Sequence, residues 1–310
     1  MSDLNLRYFY EAAKLGSMRA AADKLGIAVS SISRQIAQLE ADVGVPLIEH
    51  GRRSIKLTEA GVLTLDYYGE QLAQKEAFES RLSDLKGLRS GRIDLVIGEG
   101  FISQALSGVL SRFMENHPGI LLQVKMVASS NEVTRVVVED DAHLGLAFNA
   151  VSEPKARARV SIPQPLRAIM RPEHPLAKRA QLNLSDLASH RVCLPEASLS
   201  TRQLLKLAEE SERVAIVPCF TSNSVSLLKD MLRSAEFVTL LPVLAVVNEV
   251  ASGELVAVPV SNPILQGTSV NLISRLGRQL PPAPTRLLSV LEAHLNRSAR
   301  LEEHHFVAAE

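Results

Sequence analysis

The sequence predicts an α/β multidomain protein in three successive parts, and three observations carry that prediction. Residues 1–61 hold three short helical periodicities punctuated by glycines, and residues 58–89 form one helical stretch without proline. Residues 91–300 then alternate short apolar runs with helical segments, and a polar tail, 301–310, closes the chain.

In the first part, Leu4, Tyr8, Phe9, Ala12, Ala13 and Leu15 recur at helical spacing until Gly16. Ser17 supplies a side-chain oxygen for the orphan amides of a second, short helix carrying Ala20, Ala21, Ala22 and Leu25. The small alanines let another helix come close. Gly26 permits a tight turn, and a third helix runs from about Ser30 to Val43, with Ile32, Ile36, Leu39 and Val43 inward and Gly44 as its stop. Its other face carries Ser30, Ser31, Ser33, Arg34, Gln35 and Gln38, short donors and acceptors suited to reading base edges in a major groove. After Pro46, Leu47 and Ile48 and the later Ile55 and Leu57 flank His50-Gly51-Arg52-Arg53, which reads as a β-hairpin with a cationic tip for phosphates. Three helices and such a hairpin, in this order, make a winged helix-turn-helix that holds double-stranded DNA.

Thr58 is a good N-cap for the second part, a long helix to about Leu88 that keeps Leu65, Leu72, Leu82, Leu85 and Leu88 among charged residues. Such a stripe is too long to bury on one small domain, so a partner helix from a second subunit is the physical expectation, and a homodimer follows.

The third part begins with an apolar run, Ile93 to Ile97, and a helix bearing Leu106, Val109, Leu110 and Phe113. Strand Ile120 to Val127, a helix from about Asn131 to Val138 and strand Leu144 to Phe148 come next. Strands alternating with helices predict a parallel sheet with right-handed crossovers. A second unit starts near Pro163, with strands at Leu166 to Met170, Val192 to Leu194, Val214 to Val217 and Val238 to Leu241. Helices are expected through Leu204, Leu205 and Leu207 and from Ser224 to Leu232. The chain returns through Leu255 to Val260 and Ser269 to Ser274 to a last helix, about Pro284 to Leu295. Lobe I therefore comprises about 91–162 and 268–300, and lobe II about 163–267, with a cleft between them.

Ligands of open parallel sheets sit at the carboxyl ends of strands, where loops and helix N-termini present free amides. In lobe I those ends offer Glu99, Gly100, Phe101, Ser103 and Gln104, then Ser129, Ser130 and Asn131, then Asn149. In lobe II they offer Glu196, Ser198, Ser200, Thr201, Asn223 and Ser224. Hydroxyls at helix starts suit a carboxylate or other small anion, although each also serves as an ordinary cap. Glu99 would favour an amine or hydroxyl.

LRYF, GSMRAAADKLGI, SRQIAQLEADVGVPL and RRSIKLTEAG together resemble the DNA-binding module of LysR-type transcriptional regulators, over almost every position of the segment. HPLA at 174–177, LSDL at 184–187, LLP at 240–242 and GELVAVPV at 253–260 are similar to motifs of the same family's effector-binding region, a two-lobed module similar to periplasmic binding proteins. The resemblance implies base readout by Ser30, Ser31, Ser33, Arg34 and Gln35 and backbone contact by Arg52, Arg53 and Lys56. It also implies a dimer, paired into a tetramer in many relatives, a small-molecule effector of unknown identity, and RNA polymerase as a further partner. The chain departs from the family pattern at Ala28 and Val29, where serine and glutamine are usual: alanine cannot cap, valine offers no hydrogen bond, and the helix start is expected to slide to Ser30. His50 replaces a frequent arginine, and the glycine pair usual before the LLP segment is absent from Arg233-Ser234-Ala235-Glu236.

Composition bounds the alternatives. The net charge is zero, and residues 1–61 hold eight basic against seven acidic residues, so DNA attraction rests on the placement of Arg34, Arg52, Arg53 and Lys56. The most apolar run, Val238 to Val247, is broken by Pro242 and shorter than the roughly 20 residues a bilayer span needs, and no export signal precedes the first helix. A cytoplasmic protein without membrane contact follows. Cys193 and Cys219 have no metal-binding spacing, and Cys193 in Val192-Cys193-Leu194 reads as a buried thiol. With no P-loop, His-x-x-x-His or Gly-x-Ser-x-Gly pattern, an enzyme is not expected, nor is any cofactor or metal. The rival reading is a small-molecule sensor or solute-binding protein without specific DNA binding, since the larger part alone would fit that role.

Overall fold

The computed structural model describes residues 2–49, 54–85, 90–101, 104–150, 152–196 and 200–307. The chain divides into two compact units, Met1–Glu79 and Ser80–Glu310.

The first unit is built from α1 (Asp3–Leu15), α2 (Met18–Leu25), α3 (Val29–Val43) and the start of α4 (Glu59–Leu85). Ser2 and Ser17 cap α1 and α2, accepting from Asn5 N at 3.2 Å and Ala20 N at 3.4 Å. Ala28 precedes α3 without a side-chain cap, yet the helix begins at Val29 rather than Ser30, because the Ala28 carbonyl accepts from Ser31 N at 3.0 Å. Gly26 (φ 67°) makes the turn between α2 and α3 in the left-handed region. Phe9, Ala12, Ala21, Ile32, Ile36, Leu39, Leu47 and Tyr68 form the core. Val43, expected on the inward face of α3, is instead exposed at 37%; in α1, Leu4 and Leu15 are exposed at 47% and 43% whereas Leu6 is buried, because α1 turns its Leu6–Phe9–Ala12 stripe inward. Among the described residues the hairpin after α3 shows an antiparallel bridge, Ile48 with Leu57, and its tip, 50–53, lies outside the described residues. Thr58 caps α4 by accepting from Gly61 N at 3.0 Å.

The second unit holds two five-stranded sheets. Lobe I uses β1 (Gly91–Gly98), β2 (Ile120–Val127), β3 (Leu144–Phe148), β4 (Ala156–Pro163) and β10 (Ser269–Arg275), in the order β2-β1-β3-β10-β4. Lobe II uses β5 (Leu166–Met170), β6 (Arg191–Pro195), β7 (Phe220–Ser222), β8 (Phe237–Pro242) and β9 (Val256–Pro259), in the order β7-β6-β8-β5-β9. Each lobe thus places three parallel strands beside two strands in antiparallel pairing. The parallel pairing expected of β1, β2 and β3 is present, and each sheet becomes mixed only where β10 and β5, the strands that follow the crossings between lobes, join it antiparallel.

Helices α5 (Gln104–Asn116) and α6 (Ser130–Val138) cover lobe I, where α6 packs on β3 at Gly145. A Cβ there would meet Val137 at 2.7 Å and Val133 at 2.9 Å. Lobe II carries α7 (Leu184–Ala188), α8 (Ser200–Glu212), α9 (Val225–Met231), α10 (Val247–Ala251) and α11 (Pro263–Gln266). The last helix, α12 (Pro282–Val307), extends well past Leu295 into the segment expected to be a polar tail; no glycine or proline follows Pro284 to stop it.

Two further readings change. Val214 to Val217 is not a strand: Pro218 removes a ladder donor, Val217 is 81% exposed, and the pairing with β6 is made by Phe220–Ser222. Conversely, 156–163 is a strand, β4, which pairs on one side only with β10.

The chain crosses between lobes twice, at Gln164 and at Thr268, and the two crossings are tied together. Gln164 N donates to Thr268 O at 2.9 Å, and Thr268 Oγ1 donates to Gln164 O at 2.6 Å. The Gln164 side-chain oxygen accepts from Leu244 N at 3.2 Å, with both hinge residues buried.

Candidate nucleic-acid interface and effector cleft

On α3, burial of Ile32, Ile36 and Leu39 fixes which face is left over. Ser30, Ser33, Arg34 and Gln38 are exposed, and Ser31 and Gln35 are half-buried along its edge. Gln38 Nε2 donates to Asp42 Oδ1 at 3.0 Å, and this bond is the main cause holding the Asp42 carboxyl below its ordinary value. Gln38 must give up that bond before its amide can meet a base. The turn after α3 is fastened from inside the helix: Glu40 Oε1 accepts from Leu47 N at 2.7 Å and Ile48 N at 3.1 Å. Lys56 faces Glu49 across the wing, with Nζ 3.0 Å from Oε1 and Glu49 N bonded to Lys56 O at 2.8 Å. An exposed pair of this kind is weak, on the order of 0–1 kcal/mol, so the lysine is readily lent to a phosphate. Arg52 and Arg53 lie outside the described residues.

Between the two sheets of the second unit lies a mostly apolar cleft with a free volume of about 60 Å³. Of the residues singled out from the sequence, it brings together Gly100, Phe101, Ser130, Ser200 and Thr201. Ser130 is buried and donates to Phe148 O at 2.5 Å, leaving its oxygen as an acceptor. Six others are not among the described lining residues, and the structure gives each a different setting. Ser129 and Ser224 cap α6 and α9, accepting from Glu132 N at 3.2 Å and Leu227 N at 3.3 Å. Asn131, Glu196 and Asn223 are exposed, and Asn149 occupies a left-handed turn (φ 49°), its N bonded to Ser269 O. Asparagine tolerates that backbone better than most residues. Ser103 and Ser198, and the side chains of Glu99 and Gln104, lie outside the described residues.

The remaining lining was not foreseen: Phe148, Val225, Leu241, Pro242, Leu244 and Ala245 supply most of the apolar wall. The strand-end rule reaches half of these six, since Phe148 ends β3 and Leu241 and Pro242 end β8, each strand parallel to a neighbour. Among the described residues no three His, Cys, Asp or Glu side chains come together to hold a metal ion, and no helix is long and apolar enough to cross a membrane.

These geometries agree with comparison to known proteins. Residues 4–62 match the family model for the bacterial regulatory helix-turn-helix protein, lysR family, and residues 86–296 match the LysR substrate binding domain. The chain is 29% identical to the SDS degradation transcriptional activation protein of a Pseudomonas species, over 91% of this chain and 93% of that protein. It is 27% identical to the HTH-type transcriptional regulator CbbR of Rhodospirillum rubrum, over 93% and 95%. Among solved structures, full-length OxyR from Pseudomonas aeruginosa superposes with a TM-score of 0.65 at 17% identity, covering 95% of this chain and 94% of that one. Full-length CbnR complexed with its target DNA gives 0.52 at 20% identity, covering 96% and 100%. These two likenesses show the shared fold. The chain belongs to the LysR family of transcriptional regulators, DNA-binding proteins whose N-terminal helix-turn-helix is governed by a small effector bound in the C-terminal domain.

Proposed function

We propose that two copies pair along α4 and set their α3 helices on an inverted repeat, while a small effector enters the cleft between lobes I and II. The observation that carries this reading is the pair of exposed surfaces left by folding. On α3 the uncovered side is polar, with Ser30, Ser33 and Arg34. On α4 it is apolar, with Leu63, Tyr67, Phe78 and Leu82 exposed at 67%, 46%, 61% and 40%. A polar face suits base edges, and an apolar helical face suits a second copy of itself. Ser30, Ser31, Ser33, Arg34 and Gln35 would read bases, and Arg52, Arg53 and Lys56 would hold the backbone.

The cleft favours a ligand with an apolar body and one acceptor-rich end. Phe101, Phe148, Val225 and Leu241 would enclose the body, and the hydroxyls of Ser200 and Thr201 would meet the polar end. In this reading the protein acts in the cytoplasm through DNA and RNA polymerase, without a catalytic step or a resident cofactor.

Fluorescence anisotropy with DNA from upstream of its own gene, at two salt concentrations and with excess unrelated duplex, tests the proposal. Binding that survives the competitor supports it. Tight small-molecule binding with no salt-dependent DNA affinity would support the sensor reading instead.

A further inference from the structure

Lobe I contains a second concavity, between α5 and α12, with a volume of about 410 Å³ and no residue in common with the cleft. Arg112 and His117 enter it from α5 and its end, and His294 and Arg297 from α12. No acidic residue is among its described lining. The chain as a whole has zero net charge, so four basic groups here are a local accumulation rather than a reflection of composition.

Among the described residues the two arginines are not satisfied by acids elsewhere. Arg112 spends Nε on the neutral carbonyl of Gly108 at 3.2 Å, one turn back in its own helix. Neither Arg112 nor Arg297 forms an ion pair among the described residues. The nearest acid along α5, Glu115, accepts from Ser111 at 3.4 Å. His117 donates Nδ1 to Phe113 O at 2.8 Å and stacks on the Phe113 ring, 4.4 Å between centroids, which fixes the imidazole on an apolar floor. Half-buried His294 is held below its ordinary value by burial first and then by Arg297 and Arg112, so the fields of both guanidiniums meet at one point.

Like charges that converge in a concavity repel one another, and an anion between them turns that repulsion into attraction. Guanidinium forks match the oxygens of phosphate in a bidentate way that neither lysine nor neutral donors reproduce. The volume falls in the range of small-molecule sites, roughly 300–1,000 Å³. From this geometry we propose that the groove between α5 and α12 is a second ligand site, for phosphate or a small phosphate monoester, held by Arg112 and Arg297 with His294 beneath them.

Isothermal titration of the full-length protein with inorganic phosphate, and separately with glycerol 3-phosphate, tests this at constant ionic strength in chloride. Saturable binding in the roughly millimolar range or tighter is expected, weakened at least about tenfold in the Arg112→Gln/Arg297→Gln double variant. Arg112→Lys should retain part of the affinity, and Lys206→Gln, a charge change in lobe II, should leave it untouched. Both arginines are exposed, so the double variant keeps its fold, and an unchanged unfolding midpoint verifies that. Tighter binding of the ester would assign the site to a phosphorylated metabolite, and equal binding would assign it to the free anion. Absence of saturable heat, or equal affinity in the double variant, overturns the proposal and leaves the cleft reading intact.

Discussion

Replacing Gly61 with alanine should unfold the DNA-binding module at denaturant concentrations the native chain survives. The added Cβ would stand 2.1 Å from the backbone oxygen of Leu47 and 3.1 Å from its carbonyl carbon. Ordinary contact begins at 3.4 Å, so the backbone must move by the difference between 3.4 and 2.1 Å, about 1.3 Å. Neither side can give easily. The Leu47 carbonyl accepts from Thr58 N at 3.0 Å, the Leu47 amide donates to Glu40 Oε1 at 2.7 Å, and the Leu47 side chain is fully buried in the core. Overpacking costs about 1–3 kcal/mol, and one weakened internal hydrogen bond adds about 1 kcal/mol, so a loss of about 2–4 kcal/mol is expected. The chain supplies its own probe: it has no tryptophan, and its four tyrosines, Tyr8, Tyr10, Tyr67 and Tyr68, all fall within Met1–Glu79. Tyrosine fluorescence during urea unfolding therefore reports on that unit, while far-UV dichroism is dominated by the larger one. With a slope near ~1 kcal/mol per molar urea for so small a unit, the tyrosine midpoint should fall by roughly 2 M or more. A shift under about 0.5 M would refute the steric argument, since it would mean that α4 slides away from Leu47 almost freely.

The remaining expectations address charge, pH and association. Asp140 and Arg278 form a pair at 2.5 Å with side chains only 9% and 5% exposed; Asp140→Asn keeps the left-handed backbone (φ 66°) but removes the charge, and should cost on the order of 3 kcal/mol in far-UV urea unfolding. Burial, and then His190, lowers the pKa of His174, whose Nδ1 accepts from Leu176 N at 3.2 Å. The unfolded chain therefore binds a proton near 6.5 that the folded chain refuses, so stability is complete above that value and falls as pH drops below it; His294 acts in the same direction. Thermal midpoints that stay flat from about pH 7.5 to 5.5 would contradict this. Phe78→Glu, at a side chain 61% exposed on α4, should shift sedimentation toward the monomer without altering tyrosine fluorescence unfolding at matched monomer state. Arg34→Ala should narrow the gap between operator and random DNA, whereas Lys56→Ala should weaken both alike and reduce the salt slope by about one; equal loss of specificity from both would sink that division.

Where the sequence could be read, the reason was local. Ser17, Gly26 and Gly44 punctuate α2 and α3 with chemistry that acts within four residues, and β2, at Ile120–Val127, is bounded by Pro118 and by the polar pair Ser129-Ser130. Where reading failed, the deciding contact was distant. β4 exists because β10 offers it hydrogen bonds from more than a hundred residues away, while the charges of Arg157 and Arg159 disguise it as a loop in any local window. Val214 to Val217 has the composition of a strand but no partner strand among the described residues, because Pro218 delays pairing until Phe220. The cleft was half visible. A hydroxyl at a helix start advertises itself whether it faces a ligand, as Ser200 and Thr201 can, or caps its own helix, as Ser129 and Ser224 do. An apolar wall advertises nothing, since Leu241 and Leu244 look like core residues in any local window.

That apolar wall also constrains how an effector can act. A free volume of about 60 Å³ is far below the roughly 300 Å³ of typical small-molecule sites, so entry requires the lobes to part. Parting must turn about Gln164 and Thr268, where two chain crossings share mutual hydrogen bonds and a third bond anchors Gln164 to Leu244 in the cleft wall. A rotation there moves Leu244 together with the hinge, so the cleft and the crossings change as one element rather than separately. A ligand shifts such an element only by the affinity difference between its two arrangements. At about 25 cal/mol per Å², each extra ~55 Å² of apolar surface buried in one arrangement over the other is a factor of about ten in population. Because lobe I contributes Phe101 and Phe148 and lobe II contributes Val225 and Leu241, that extra area accrues only when both walls meet the ligand at once. If the effector occupies this cleft as proposed, selectivity would rest on ligand shape and thickness, and the hydroxyls of Ser200 and Thr201 would decide its orientation rather than its affinity.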